Sequence, residues 1–318
     1  PPLSMNQINV LSEILGVTAP VFAMVFMGLV LRKVKLINDS FIQTASTLTY
    51  KATMPTLFFL SIWQADLQSA FNAQLVFFFC AATLVGFLAS WWWASTAIPY
   101  DQRGVFVQGS FRGNCGVVSF ALVASYYGDY GLSVGGVLVG FTILLFNVLS
   151  VLILSIYSPT LKFSPAAVGK ELCRNPLIIA VVLGLVASAV KLYIPQWLLK
   201  SGEYFAGLTL PLALICVGGT LSLAGVKASG ISAVQSSAIK VAILPVLACA
   251  IAWAIGIEGR ELIILWMFFA SPTAAASFAM AVAAGGDGKL AANIIALTTL
   301  VSIATMTLGI YALTALGH

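Results

Sequence analysis

Arg112 stands in the run Gly104-Val-Phe-Val-Gln108-Gly109-Ser110-Phe-Arg112-Gly113-Asn114-Cys115-Gly116, where glycines and polar side chains interrupt an otherwise apolar stretch. It lies eight residues from Gly104, about 12 Å along a helix rising 1.5 Å per residue. In a membrane-spanning helix that is close to the bilayer centre. Insertion there costs roughly 2.5 to 3.5 kcal/mol, so such arginines pair with an acid or face a cavity. All ten Asp and Glu residues fall in loops or at predicted helix ends. Lys51, beside Tyr50, Thr53 and Pro55, reads as similarly deep. Midplane cations without an acidic neighbour in sequence imply that the missing charge arrives with the ligand, so the expected solute is an anion. Two other readings stay open: backbone carbonyls satisfy Arg112, or Lys51 snorkels to the interface.

A second interruption, Ser271-Pro272-Thr273, sits in the middle of another apolar stretch. Shifting the chain by 158 residues lays Asn114 on Pro272, so the two breaks correspond. Non-helical backbone at membrane depth persists only where protein or a water-filled cavity covers it. Two half-helices meeting there would turn N-terminal amides, with positive dipole ends, toward an anion. Asn114, Ser119, Thr273 and Ser277 are placed to add hydrogen bonds, or else to cap half-helices and join neighbours. Glycine also serves close helix packing in membranes, and proline is tolerated there. Two matched breaks at one depth favour a binding site.

The elements that must hold these residues are membrane helices. The sequence is 60% hydrophobic and 8% charged, with mean hydropathy +1.04, against about 25% charged in soluble domains. Apolar runs predict helices at 14–34, 41–63, 71–98, 104–127, 132–157, 176–194, 205–223, 239–257, 262–284 and 291–316. One set of loops carries Arg32, Lys33, Lys35, Arg103, Lys162, Lys170, Arg174, Lys227, Lys240 and Lys289. The other carries Lys191, Lys200 and Arg260. Ten against three puts the first set in the cytoplasm and both termini outside it. The net charge of +5 is spread over short loops, without a stripe that would suit nucleic acid. The five cysteines have no metal or disulfide spacing, and the start lacks the pattern of a cleaved signal peptide. No metal site or cofactor is expected. Nucleophile and base are nowhere paired, so an enzyme is not expected either.

The connection 158–175, with Pro159 and Pro165 ahead of Pro176, divides the chain into halves 1–157 and 176–318 of five predicted helices each. An odd number of spans per half makes any repeat an inverted one. The 158-residue shift also aligns Ser119-Phe120-Ala121 with Ser277-Phe278-Ala279 and Gly128-Asp129 with Gly286-Asp287, and a 156-residue shift lays Met54-Pro55 on Leu210-Pro211. The predicted fold is therefore all-α and integral to the membrane: ten transmembrane helices in two inverted five-helix repeats, with broken helices 4 and 9 crossing. Gly113, Gly116, Pro55, Pro211 and Pro272 are its hinges.

These residues resemble the auxin efflux carrier family, whose bacterial members include malonate and malate permeases. The resemblance rests on Arg112-Gly113-Asn114-Cys115-Gly116, on Leu210-Pro211-Leu212-Ala213 with Gly218-Gly219, and on Pro272-Thr273-Ala274 before Phe278. It implies a fold like that of NhaA and the bile acid/sodium symporters. A scaffold would comprise helices 1, 2, 6 and 7, and a transport domain helices 3–5 and 8–10, with elevator-like alternating access and a homodimer. Relatives often carry proline where this chain has Ala121, which leaves unwinding of the first break to Gly113 and Gly116. The expected function is secondary transport of a small organic anion, a mono- or dicarboxylate, across a plasma membrane, the inner membrane of a bacterium. The alternatives are a sodium-coupled symporter of the bile acid type and a passive anion channel. The one histidine, His318, is terminal, so a direct proton relay is not expected.

Overall fold

The computed structural model describes residues 5–64, 71–159, 164–221, 223–227 and 230–317, so Asp66, Lys162 and His318 lie outside the described residues. Among those residues every regular element is helical.

Helix α1, Met5–Lys33, runs unbroken through Pro20. After a cap by Asn38, which accepts from the Phe41 amide at 2.9 Å, α2 (Asp39–Leu48) continues through a π turn, Thr49–Thr53, into α3 (Met54–Gln64). Pro55 explains the turn. Proline has no amide hydrogen and its ring crowds the carbonyl four residues back, and the wider π turn, closed by Met54 N–H on Thr49 O, absorbs that mismatch. Helix α4 is Ala73–Ala97. Helix α5, Arg103–Phe111, ends where Arg112 turns extended (φ −77°, ψ 99°). A π turn at Cys115–Ser119 then leads into α6, Phe120–Tyr157, in which Gly128 at φ 55° divides two helical stretches. This division matches the boundary between the predicted fourth and fifth helices.

The connection carries α7, Pro165–Arg174. Asn175 caps α8 (Pro176–Ala189) by accepting from Leu177 and Ile178 amides. Then come α9 (Gln196–Gly207), α10 (Thr209–Thr220), α11 (Leu223–Lys227), α12 (Ile231–Ala238), a π turn at Ile239–Ile243 just before Pro245, and α13 (Leu244–Ala254). Helices α14 (Gly259–Phe269) and α15 (Ala276–Ala283) flank the second break, and α16 is Gly288–Ala315. Among the described residues, six helical stretches are long and apolar enough to cross a membrane: Ile14–Lys33, Ala73–Ala97, Cys115–Tyr157, Gln196–Thr220, Ile231–Ala254 and Gly288–Ala315.

One expectation needs correction. Lys240, counted from sequence as a cytoplasmic loop residue, lies in the middle of the Ile231–Ala254 helix and is 1% exposed. Its helix begins eight residues before the predicted start at 239. The polar residues that hid this turn bind a neighbour: Ser232 Oγ donates to Gln102 Oε1 at 2.7 Å and Ser236 Oγ to Phe106 O at 3.1 Å. With Lys240 removed, the loop count becomes nine against three.

Around the breaks the core is aromatic. Phe79 packs on Phe268 and Phe269 at 5.7 and 4.7 Å between ring centroids, and Phe111 on Phe87 and Phe146 at 5.2 and 5.7 Å. These rings fix the half-helix ends against α4 and α6.

Candidate functional site

The two interruptions meet. Gly113 and Thr273 form an isolated antiparallel bridge, with Asn114 N–H donating to Pro272 O at 2.7 Å and Ala274 N–H to Arg112 O at 3.1 Å. In this register the amides that pair belong to Asn114 and Ala274, so Pro272, which has none, costs the bridge nothing. Backbone groups released from both helices thereby satisfy each other. Thr273 adds two links beside the bridge, its N–H donating to Thr298 Oγ1 at 3.0 Å and its Oγ1 to Gly109 O at 2.8 Å.

Every one of the last four carbonyls of α14, which no further helical turn would satisfy, has a donor. Trp266 O accepts from Ala270 N–H at 2.8 Å, Met267 O from Ser119 Oγ at 2.9 Å, and Phe268 O from Ser271 Oγ at 2.9 Å. Phe269 O accepts from Lys240 Nζ. Ser119 is thus a tie between the two broken helices.

A cavity of about 240 Å³ opens on the other side of the bridge. Arg112, Gly113, Asn114 and Gly116 line it from the first break, and Ala274, Ala275 and Ala276 from the second. Thr49 and Tyr50 of the α2–α3 turn and Thr220 of α10 form the facing wall. The helix starts at Cys115 and at Ala276 both border this space. Among the described residues, no Asp or Glu lines the cavity. The guanidinium of Arg112, 9% exposed, donates to Phe146 O at 3.3 Å, Ser150 Oγ at 3.0 Å and Asn147 Oδ1 at 3.0 Å. These three oxygens of α6 are neutral acceptors. The carbonyl contact left open by the sequence is therefore present, joined by two side chains.

The remaining sequence candidates divide. Pro272, Thr273, Ser119 and Ser277 are buried behind the lining, and Ser277 Oγ has no hydrogen-bond partner among the described residues. Lys51 is exposed on its π turn and outside the lining. Pro55 is half-buried at the start of α3, and Pro211 is exposed in α10; neither lines the cavity. Sequence reasoning missed Lys240, and also Asn147 and Ser150, which lie one helical turn apart on the face of α6 that meets Arg112. Asn and Ser three residues apart in an apolar run were the available signal.

Two interrupted membrane helices paired beside a cavity are an arrangement that membrane transporters use. Two stretches, 14–167 and 157–310, match the membrane transport protein family. The chain belongs to that family, the one containing the auxin efflux carriers. It is 22% identical to an uncharacterized transporter of Methanothermobacter thermautotrophicus over 91% of this chain and 94% of the relative. It is 24% identical to an uncharacterized transporter of Methanocaldococcus jannaschii over 91% and 95%.

Proposed function

We propose that this membrane transporter is a secondary carrier that binds a small organic anion, a mono- or dicarboxylate, in the cavity beside Arg112. The observation that carries the reading is the convergence of Arg112 and two helix N-termini on a space with no carboxylate among its described lining residues. Each N-terminus presents roughly half a positive charge. The volume is below the roughly 300–1,000 Å³ of sites for drug-sized ligands, as a small acid requires.

In this reading the chain crosses the plasma membrane ten times, as two inverted five-helix halves. The six long stretches are joined by the interrupted second, fourth and ninth spans and by short α8, while the 120–157 stretch supplies two segments. The cavity lies between the paired breaks and the wall formed by α2, α8 and α10, so sliding of the broken-helix body along that wall would move the site across the bilayer. Such an elevator movement is alternating access, and a homodimer would anchor the wall. An inside-negative potential favours outward movement of an anion by about 2.3 kcal/mol per charge per 100 mV.

Uptake by purified protein in liposomes, against a panel of mono- and dicarboxylates, tests the assignment. Hydrogen bonds to a charged group contribute about 1.5–3 kcal/mol, so Arg112→Ala is expected to lower uptake by about tenfold or more. Lys289→Ala, at an exposed position, should transport like the parent. Normal transport by Arg112→Ala sinks the anion site, and non-saturating flux without solute exchange makes the protein a channel.

A further inference from the structure

A second cavity, of about 630 Å³, lies outside the anion site, between α4 and the continuous helix made by α12, the Ile239–Ile243 π turn and α13. The two helices run antiparallel and touch little. A Cβ on Gly86 would stand 2.7 Å from Leu244 Cδ1, and Trp93 Nε1 donates to Gln235 Oε1 at 3.4 Å. Around these contacts a trough remains, lined by small Ala81, Ala82, Gly86 and Ala89 on α4 and rimmed by large exposed side chains, Val85 and Trp92 on one helix, Leu247 and Ile251 on the other. Its polar groups are already engaged: Ser90 Oγ donates to Gly86 O at 2.7 Å, and Gln235 accepts from Trp93. An ordered water needs about two to four polar partners, which these walls do not offer. An empty trough would forfeit the dispersion contacts of every side chain along it. The filler that suits it is hydrocarbon.

Depth and charge say which hydrocarbon. Phe78 and Trp93, the ends of the α4 wall, are fifteen residues apart, about 22 Å along a helix. A hydrocarbon core of about 30 Å gives each leaflet roughly 15 Å, so the trough spans one leaflet and enters the other. The end at Trp92 and Trp93 belongs to an aromatic belt of the kind that marks headgroup level: Trp91 Nε1 donates to Tyr157 Oη at 2.9 Å, and Tyr157 packs edge-on against Tyr100 at 5.2 Å. Arg103 stands at this end, its Nε donating to Ile98 O, just past α4, at 2.9 Å, while neighbouring Gln102 accepts from Ser232 in the first turn of α12. Among the described residues no carboxylate, that of nearby Asp101 included, lies within ion-pair distance of Arg103. Beyond the other end, the chain after α13 carries Glu258, Arg260 and Glu261, so the positive mouth is the one at Arg103, a member of the basic loop set assigned to the cytoplasm.

We infer that the trough holds an acyl tail of an anionic phospholipid from the cytoplasmic leaflet, with its phosphate beside Arg103, as a lipid the protein retains apart from the fluid bilayer. Guanidinium and phosphate form the strong, charge-assisted kind of hydrogen bond. Ile239 and Ile243 of the π turn line the trough, so the tail also packs against the least regular part of that helix. The inference goes beyond the carrier reading and needs only that the chain spans a membrane.

The test loads the purified full chain with an equal mixture of phosphatidylglycerol and phosphatidylcholine, washes it in detergent, and measures the phospholipid that stays by mass spectrometry. The parent should keep one phospholipid per chain and prefer phosphatidylglycerol by about fivefold, as one basic residue at the headgroups gives. Ala82→Phe/Ala89→Phe, which fills the trough from its lipid side, should lose most of the retained lipid. Arg103→Gln, which leaves the trough open, should hold the two lipids equally, while Lys289→Ala, at an exposed basic position elsewhere, keeps the parent's preference. A parent that washes free of phospholipid, or that holds both kinds equally, overturns the inference whether or not the variants fold. So does a filled variant with the parent's lipid content, or an Arg103→Gln protein with the parent's preference. In a Cys173→Ser background, Val85→Cys on the rim should not cross-link between chains; a disulfide there would make the occupant a second copy and overturn the lipid. No solute enters these measurements, so failure of the anion panel leaves their outcome untouched.

Discussion

Gly113 is the residue on which the pairing of the two breaks depends most directly. A Cβ there would lie 2.2 Å from Ser271 Oγ and 3.2 Å from Cys115 Sγ, besides its contact with the Lys240 stem. Gly113→Ala must therefore push the strands apart or turn Ser271 out of its bond to Phe268 O. Uptake is expected to drop about tenfold or more, with overpacking costing about 1–3 kcal/mol. The double variant Gly113→Ala/Ser271→Ala should recover part of the rate, since the closest obstacle is then gone; a double-mutant cycle reads this coupling. Parent-like uptake by Gly113→Ala would mean that close approach is unnecessary. At this scale the breaks were legible because glycine and proline in an apolar run disturb a helix wherever it packs. Asn114, Pro272, Thr273 and Arg112 could therefore be placed from sequence. Lys240 could not: hydropathy treats a lysine at the edge of an apolar window as loop, and its partner is a main-chain carbonyl 29 residues away, which leaves no mark on side-chain composition.

Helices α1 and α10 cross so closely that their backbones touch. A Cβ on Gly218 would meet Val25 O at 1.7 Å, and one on Gly28 would meet Ile215 O at 2.1 Å. Small residues allow this approach, which in lipid supplies packing that hydrophobicity cannot. Main chain cannot rotate away as a side chain can, so Gly218→Ala forces the pair apart. It is expected to destabilise by about 1–3 kcal/mol, the ordinary cost of overpacking, read as a lower melting temperature in detergent. Gly207→Ala is the control, since nothing stands within 4 Å of a Cβ there; equal melting of the two variants would remove the crossing from the stability of the wall. Element positions were readable from apolar runs, but starts were not. Helix α9 begins at Gln196, nine residues before the predicted start at 205, through a polar turn where Lys200 and Glu203 pair at 3.7 Å. Transfer scales count such residues against a helix that one salt-bridged face makes tolerable.

The whole molecule has an orientation, and one cysteine can report it. Cys173 is exposed in α7, while Cys115, Cys216 and Cys249 are buried and Cys80 is half-buried. The helix also holds Lys170 and Arg174, two members of the basic loop set that the positive-inside rule assigns to the cytoplasm. Loss of Lys240 from that set leaves the bias in place, because nine against three still favours the same side. A thiol reagent that cannot cross lipid should therefore label the protein in inverted membrane vesicles and leave it unlabelled in right-side-out ones. Cys173→Ser should abolish the labelling. Cys115 and Cys216 serve as an internal check, since both line the cavity: any slow labelling that survives Cys173→Ser and is blocked by a bound carboxylate would come from the site. Labelling of Cys173 in right-side-out vesicles would reverse the chain in the membrane. The connection between the halves would then lie outside the cytoplasm, and the positive charge of its loops would need an explanation other than insertion.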